Sequence, residues 1–291
     1  MSDFSFFLGI DWSGATGDRH SSIAVACATV GDDAPKLIWP KDGLWSRQGV
    51  LDWLLDYFDR NPETLVGFDF SFAGPWIDQG CYFPGLDSCP RDASALWNMV
   101  ETICCGESDL GATGLIDRLD DYFYSGAARC GRLFTPRYRR CEEIFNSSGH
   151  GLTASIFKTI GAAQVGKASF SGMRLLHRLK RERGDIAIWP MESPSPGKPC
   201  VVEIYCRQFV ALASGQARKK IRDIKSLNSV LKQLGSKPVR GRIPAKRFVD
   251  CADAMIAACG LRAIHGDGRF WSPAALSPVI ASTEGWTMGV L

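Results

Sequence analysis

Two short apolar runs that each end at or beside an aspartate constrain this chain most strongly. The first, FSFFLGID, covers residues 4–11 and ends at Asp11, and the second, TLVGFDF, covers residues 64–70 and contains Asp69. Runs of this length and composition are typical of buried strands. An isolated carboxylate on a buried strand is costly unless it is paired, hydrogen-bonded or bound to a cation. The two runs therefore predict a sheet that carries charged groups at the ends of its strands.

Three more carboxylates follow in similar settings. The run CVVEIYC at residues 200–206 is typical of a buried strand and contains Glu203. Residues 245–264 have apolar positions at helical spacing, and Asp250 and Asp253 near the start of this segment are three residues apart, so they share one face of the helix. Several carboxylates on consecutive core elements favour a shared cation.

Each carboxylate taken alone also has a simpler structural interpretation. Asp11 could cap the turn WSGATGDRH that follows it. Asp250 could be an N-cap or lie in the first turn of its helix, where the helix dipole favours a negative charge. Only the combination of these residues, in this order and in these settings, favours a site.

The remaining pattern predicts an α/β protein. Residues 22–30 and 36–39 are typical of strands that follow the first one antiparallel, and residues 46–60 have the apolar spacing of an amphipathic helix. Residues 75–200 contain Gly-rich loops, several probable helices and one or two strands, and we interpret them as an insertion or cap within a single domain that covers residues 1–291.

Charge is distributed unevenly along the chain. Residues 1–128 contain 20 Asp and Glu against 7 Lys and Arg, whereas residues 129–247 contain 25 Lys and Arg against 7 Asp and Glu. This asymmetry predicts a metal site beside a surface that binds a polyanion, and a solvated basic face is the alternative. We interpret one basic cluster as a solvated helix face; it contains Arg218, Lys219, Lys220 and Arg222.

The run GRLFTPRYRR at residues 131–140 is the more specific basic feature. It interleaves arginines with Phe134 and Tyr138, a mixture that suits phosphate contact and base stacking. The alternative is a surface loop held in place by its aromatic side chains. The candidate phosphate-binding residues are Arg132, Arg137, Arg139 and Arg140.

No apolar run is long enough to cross a membrane. The run at residues 22–30 is far shorter than the roughly 20 residues that a spanning helix needs, and the N-terminus lacks the basic leader of a signal peptide. The 11 cysteines include no CxxC pair and no zinc-finger spacing. We therefore expect reduced thiols in a cytoplasmic protein.

Five motifs, in order along nearly the whole chain, resemble those of the ribonuclease-H-like superfamily. The closer resemblance is to the family labelled domain of unknown function 429, which is described as predicted ribonuclease-H-like nucleases. The motifs are GIDWSG at 9–14, VGFDFSFA at 66–73, VEIYCRQ at 202–208, DCADAMIAA at 250–258 and EGWTMGV at 284–290.

The resemblance implies a ribonuclease-H-like fold, with a mixed five-stranded sheet flanked by helices, and a two-metal nuclease that acts on nucleic acid. It implies that Asp11 bridges both metal ions, that Asp69 and Glu203 each bind or orient one, and that Asp253 or Asp250 supplies the last ligand. Hard oxygen ligands of this kind favour Mg²⁺ or Mn²⁺.

Two other functions fit the same features. A non-catalytic nucleic-acid-binding module could retain a vestigial site and a basic surface. Sugar kinases and actin-like ATPases also begin with a strand, an aspartate and a Gly-containing loop, and the turn at Ser13 and Gly14 would let a phosphate approach the backbone. A second Gly-rich loop is not evident after Glu203, so this nucleotide-binding function ranks lower.

Overall fold

Six strands form one mixed sheet in the computed structural model, which describes residues 4–161, 165–215 and 221–291. The strands are β1 (Phe6–Asp11), β2 (Ala24–Thr29), β3 (Lys36–Ile38), β4 (Thr64–Phe68), β5 (Ala187–Trp189) and β6 (Cys200–Glu203). Their order across the sheet is β3-β2-β1-β4-β6-β5. The β1–β2 and β2–β3 pairs are antiparallel, and β1, β4, β6 and β5 run parallel to one another.

The predicted α/β class and the antiparallel start of the sheet are therefore confirmed. The sheet has six strands, however, rather than the five that the resemblance implied. The edge strand β5 lies within residues 75–200, so the range that we interpreted as an insertion supplies part of the central sheet.

Ten α-helices are described, and several begin and end where the sequence predicts. They are α1 (Arg47–Arg60), α2 (Ala93–Cys104), α3 (Thr113–Arg118), α4 (Arg140–Ser147), α5 (Val165–Glu182), α6 (Cys206–Ser214), α7 (Ile224–Gln233), α8 (Phe248–Ile264), α9 (Gly268–Trp271) and α10 (Pro278–Thr283). Short 3₁₀ helices cover Ser108–Leu110, Asp120–Tyr122 and Ala245–Arg247. The hydroxyl of Ser46 caps α1 by accepting a hydrogen bond from the Gly49 N–H.

Alternating side chains divide the core between two faces of the sheet. One face packs against α1, α2 and α5, and we call it the α5 face; its strand residues include Leu8, Ile10, Val66, Phe68 and Val201. The other packs against α6, α7 and α8, and we call it the α8 face; its strand residues include Phe7, Leu65 and Val202.

Gly9 lets α8 lie directly on the central strand. A Cβ at this position would be 2.2 Å from the Ala254 carbonyl oxygen and 2.6 Å from the Ala258 nitrogen, so no larger residue fits without moving the helix. Since Gly9 is two residues before Asp11, this close contact brings the first turns of α8 to the end of β1.

Two segments of the C-terminal half do not confirm what their sequences predict: one lacks the predicted strand, and most of the other lies outside the described residues. Residues 284–291, which resemble an edge strand in sequence, contribute only an isolated bridge between Thr287 and Glu203 within the described chain. The basic cluster that contains Arg218, Lys219 and Lys220 lies outside the described residues, apart from Arg222.

No helix in the described ranges combines the length and apolar character that a membrane-spanning segment needs. All of the cysteines lie within these ranges, and each is a free thiol.

Candidate functional site

The carboxyl ends of β1 and β4 bring two of the predicted aspartates to the same level of the sheet. Ile10 pairs with Phe68, and the Asp69 N–H donates to the Ile10 carbonyl oxygen at 3.1 Å, so Asp11 and Asp69 follow in register. Because Ile10 and Phe68 pack on the α5 face, the next residues point toward the α8 face.

A pocket of about 480 Å³ opens at this edge of the sheet. Four aspartates from two strand ends and from the first turns of α8 contribute to its wall, and all four are partly exposed. They are Asp11, Asp69, Asp250 and Asp253. The structure thus brings together all of the aspartates that the sequence singled out.

The thiol of Cys206 lies among three of these carboxylates. It is the first residue of α6 and donates to Oδ1 of Asp253 at 3.3 Å. Burial raises the pKa of Cys206 well above its usual value, and the negative charges of Asp253, Asp69 and Asp11 raise it further. The three carboxylates are therefore near enough to act on one buried group.

Asp250 has a different set of neighbours from Asp253. Its charge, together with that of Asp11, raises the pKa of Cys251, although burial is the larger cause and Arg247 opposes it, and the result is a pKa of about 11. Asp253 accepts the hydrogen bond from Cys206 that joins α6 to α8. The charge of Asp250 acts on Cys251, its neighbour in α8.

Glu203 also borders this pocket, but its position in β6 directs its side chain toward the α5 face, opposite to Asp11 and Asp69. It pairs with Phe68 and is only 3% exposed. Arg139 donates to both of its carboxylate oxygens at 2.6 Å, the Thr287 hydroxyl donates to Oε1 at 2.6 Å, and the Phe72 N–H donates to Oε2 at 2.8 Å. A carboxylate has about four lone-pair positions, so these four bonds leave it little capacity for a metal ion.

Arg139 itself is 2% exposed and fully engaged, although it borders the pocket. Besides Glu203, its guanidinium donates to Glu142 at 2.9 and 3.0 Å, to the Ser71 hydroxyl at 3.2 Å and to the Glu284 carbonyl oxygen at 3.1 Å. Arg139 therefore has a structural role. The sequence-based prediction that it binds phosphate did not include this role.

The other arginines of the run at 131–140 are also paired. Arg137 is buried, forms an ion pair with Asp78 at 2.6 Å and donates to three backbone carbonyl oxygens. Arg132 pairs with Asp121 at 2.6 Å and Arg140 with Glu143 at 3.1 Å, both on the surface. Arg137 cannot reach a phosphate without breaking its ion pair, because its guanidinium is covered by the chain.

The turn at Ser13 and Gly14 borders the pocket but is occupied by contacts within the protein. The Ser13 hydroxyl accepts hydrogen bonds from the Ala15 N–H and the Ser22 hydroxyl, at 3.2 and 2.8 Å. A Cβ on Gly14 would be 2.4 Å from the Ala168 nitrogen, so the glycine allows this turn to pack against α5.

Sequence reasoning missed two charged residues of the pocket; one is Glu142, the buried partner of Arg139, and the other is Arg207. Arg207 is the second residue of α6, directly after the strand that contains Glu203, and it is partly exposed. A single arginine after a strand gives no compositional signal, since nothing in the sequence shows that the start of α6 faces the aspartates.

Within residues 4–161, 165–215 and 221–291, no three His, Cys, Asp or Glu side chains are arranged closely enough to hold a metal ion together. The chain matches none of the protein-family models, curated proteins or solved structures with which it was compared.

Proposed function

We propose that this protein is a metal-dependent nuclease of the ribonuclease-H-like type, which hydrolyses phosphodiester bonds at the pocket described above. One observation carries the proposal. Four aspartates from three separate elements, β1, the end of β4 and α8, line one pocket at the carboxyl edge of the sheet. Carboxylates from distant parts of a chain rarely converge in a concave site without a functional reason.

The order of the elements supports the same proposal. The chain begins with a strand that ends in Asp11, followed by two antiparallel strands, a helix and a strand that leads to Asp69. An acidic strand and a helix with Asp250 and Asp253 come later. This is the order on which the resemblance to ribonuclease-H-like nucleases rests.

The donor chemistry of the pocket fits Mg²⁺ or Mn²⁺. The aspartates offer hard oxygen ligands, and Asp11, Asp69 and Asp253 are the three whose charges act on one buried thiol. We assign these three as the ligands, with Asp250 as the alternative to Asp253. Because their side chains are not grouped closely enough in this structure to hold an ion together, this assignment requires them to close on the ion when it binds. When bound, two such ions would activate a water molecule and stabilise the leaving oxygen of a phosphodiester.

We assign Glu203 a positioning role instead of a role as ligand. It accepts a hydrogen bond from the Phe72 N–H, three residues after Asp69, and it holds Arg139 at the start of α4. These bonds fix the loop that follows β4, and with it the direction in which Asp69 leaves the sheet.

A cleavage assay tests this proposal. Single- and double-stranded DNA and RNA, and bis(p-nitrophenyl) phosphate as a generic diester, are incubated with the protein in Mn²⁺ or in EDTA. We expect cleavage only with metal, and at least about a 100-fold loss in Asp11→Asn, because changes to outer-shell partners of a metal site alone cost 10- to 100-fold.

Asp56→Asn is the matched control, since Asp56 is exposed on α1, a helix of the α5 face. It should cleave as the unmodified protein does. Cleavage that persists in EDTA, or in a folded Asp11→Asn variant, would overturn the proposal.

A further inference from the structure

The pocket contains a second region beside the aspartates, formed by the start of α6. Ile204, Tyr205, Cys206 and Arg207 all border it, so the N-terminal turn of this nine-residue helix faces the cavity. The positive end of the helix dipole and the Arg207 guanidinium both favour an anion here.

Arg207 differs from the other arginine of the pocket. The guanidinium of Arg139 is consumed by two buried carboxylates, whereas in the described parts of the chain no hydrogen bond or ion pair engages that of Arg207. Arg207 is partly exposed and borders the pocket, and a guanidinium without an internal partner can bind a phosphate group by charge-assisted hydrogen bonds.

An apolar wall runs beside this cation. Phe145 of α4 packs edge-on against Tyr205, with ring centroids 5.0 Å apart, and Leu152 stands at the rim with 75% of its surface exposed. A Cβ on Gly151 would be 3.6 Å from Nη1 of Arg207, so the loop that carries Leu152 runs alongside the guanidinium. The pocket therefore offers a cation and an apolar surface next to each other.

This combination favours an unpaired nucleotide over a duplex. In a duplex the faces of the bases are covered by their neighbours, and only base edges are presented in the grooves. Single-strand binders instead pair a positive groove with side chains against which bases pack. A cavity of about 480 Å³ is also of the size that small ligands occupy.

We infer that Arg207 binds a phosphate of single-stranded nucleic acid, and that Leu152 and Tyr205 contact the adjoining base. The inference rests on the proposed function, because it names the substrate class for the same pocket. It makes Arg207 a substrate-binding residue and leaves the aspartates as the residues that hold metal.

Fluorescence anisotropy in EDTA, where metal-dependent cleavage is blocked, tests this inference. A short fluorescein-labelled single strand and the corresponding duplex are titrated with the unmodified protein, Arg207→Gln and Arg207→Lys. We expect tighter binding of the single strand, a loss of about 10- to 100-fold in Arg207→Gln, and a smaller loss in Arg207→Lys. The dependence of log affinity on log salt should fall by about 0.7 in Arg207→Gln and stay unchanged in Arg207→Lys.

Arg60→Gln is the matched control, because Arg60 is exposed at the end of α1 and borders no part of the pocket. It should bind as the unmodified protein does. An Arg207→Gln variant with unchanged affinity, a duplex bound as tightly as the single strand, or a protein that binds neither would overturn the inference.

Mn²⁺ binding separates this inference from the proposed nuclease activity. Arg207→Gln should bind Mn²⁺ as the unmodified protein does, because the arginine is not a ligand. If single-strand binding depends on Arg207 but Mn²⁺ is not bound at all, the inference stands and the nuclease proposal fails.

Discussion

Carboxylates at the same edge of the sheet differ in exposure and in hydrogen bonding between its two faces. On the α8 face, four aspartates are partly exposed and line a pocket. Glu203 borders the same pocket from the α5 face, but it is 3% exposed and accepts four hydrogen bonds from the protein. A carboxylate at the end of a buried strand can therefore line a functional site or support the fold, and its exposure and its partners decide which role it has.

A single step along a strand produces this difference. Asp69 follows Phe68 in β4, and Phe68 pairs with Glu203 in β6. Since successive side chains of a strand point to opposite faces, Asp69 and Glu203 are directed away from each other although they are close along the sheet edge.

The largest effect on stability should come from Glu203→Gln. Removing its charge leaves the buried Arg139 without one of its two carboxylate partners, and breaking a buried ion pair costs about 3–5 kcal/mol. Urea unfolding gives this free energy directly. A loss below about 1 kcal/mol would mean that Glu203 is not a structural residue, and the contrast between the faces would disappear.

Glu101→Gln should cost about 3 kcal/mol, and it provides a reference for a buried pair far from the pocket. Glu101 joins α2 to α5 through hydrogen bonds from Arg174 at 2.6 Å and Arg178 at 2.9 Å. Burial raises the pKa of Glu101, but these two bonds lower it more, so it lies below the usual 4.5.

The lowered pKa fixes how this cost depends on pH. A carboxyl with a lowered pKa in the folded state stabilises the fold above its usual pKa, and this contribution is lost as pH falls. The free energies of unfolding of Glu101→Gln and of the unmodified protein should therefore differ most at pH 7 and progressively less below pH 4.5. A difference that grows on acidification would contradict the assignment.

Gly9→Ala should cost about 2 kcal/mol and should also weaken metal binding. The added methyl group collides with the backbone of α8 and moves this helix away from β1, which separates Asp253 from Asp11. Thermal unfolding measures the first effect and Mn²⁺ titration the second. Gly67→Ala meets side chains of Ile204 and Leu261 rather than the α8 backbone, and it should spare metal binding more than Gly9→Ala does.

The smallest effect on stability should come from Asp69→Asn, at less than about 1 kcal/mol. Its side chain is partly exposed at the end of a strand, and substitutions at such positions usually change stability little. Chemical unfolding under the conditions used for Glu203→Gln checks this. A cost comparable to that of Glu203→Gln would show that both faces hold structural carboxylates.

Much of the fold follows from local sequence patterns. The bounds of β1, β2, α1 and α8 agree closely with the apolar spacing of their segments, because period and turn residues are local properties. The aspartates of the pocket were found for the same reason, since each stands at a fixed place relative to an apolar run.

The roles of the arginines could not be predicted in this way. Arg139 and Glu203 are separated by 64 positions, and Arg137 and Asp78 by 59, so their pairing depends on the tertiary fold. Composition shows that a segment is basic, but it does not show which guanidinium groups are consumed by buried partners. For this reason Arg207 was missed and the buried ion pairs of Arg139 were not predicted.

Calorimetric titration with Mn²⁺ tests the central claim most directly. The proteins compared are the unmodified protein, Asp11→Asn and Glu203→Gln. That claim is that metal binds among the aspartates of the α8 face. We predict saturable binding to the unmodified protein, at least about 100-fold weaker binding to Asp11→Asn, and a smaller loss of about tenfold in folded Glu203→Gln, which positions Asp69 without binding the ion. Equal affinity in Asp11→Asn and the unmodified protein would contradict the claim, as would an equal loss in both variants.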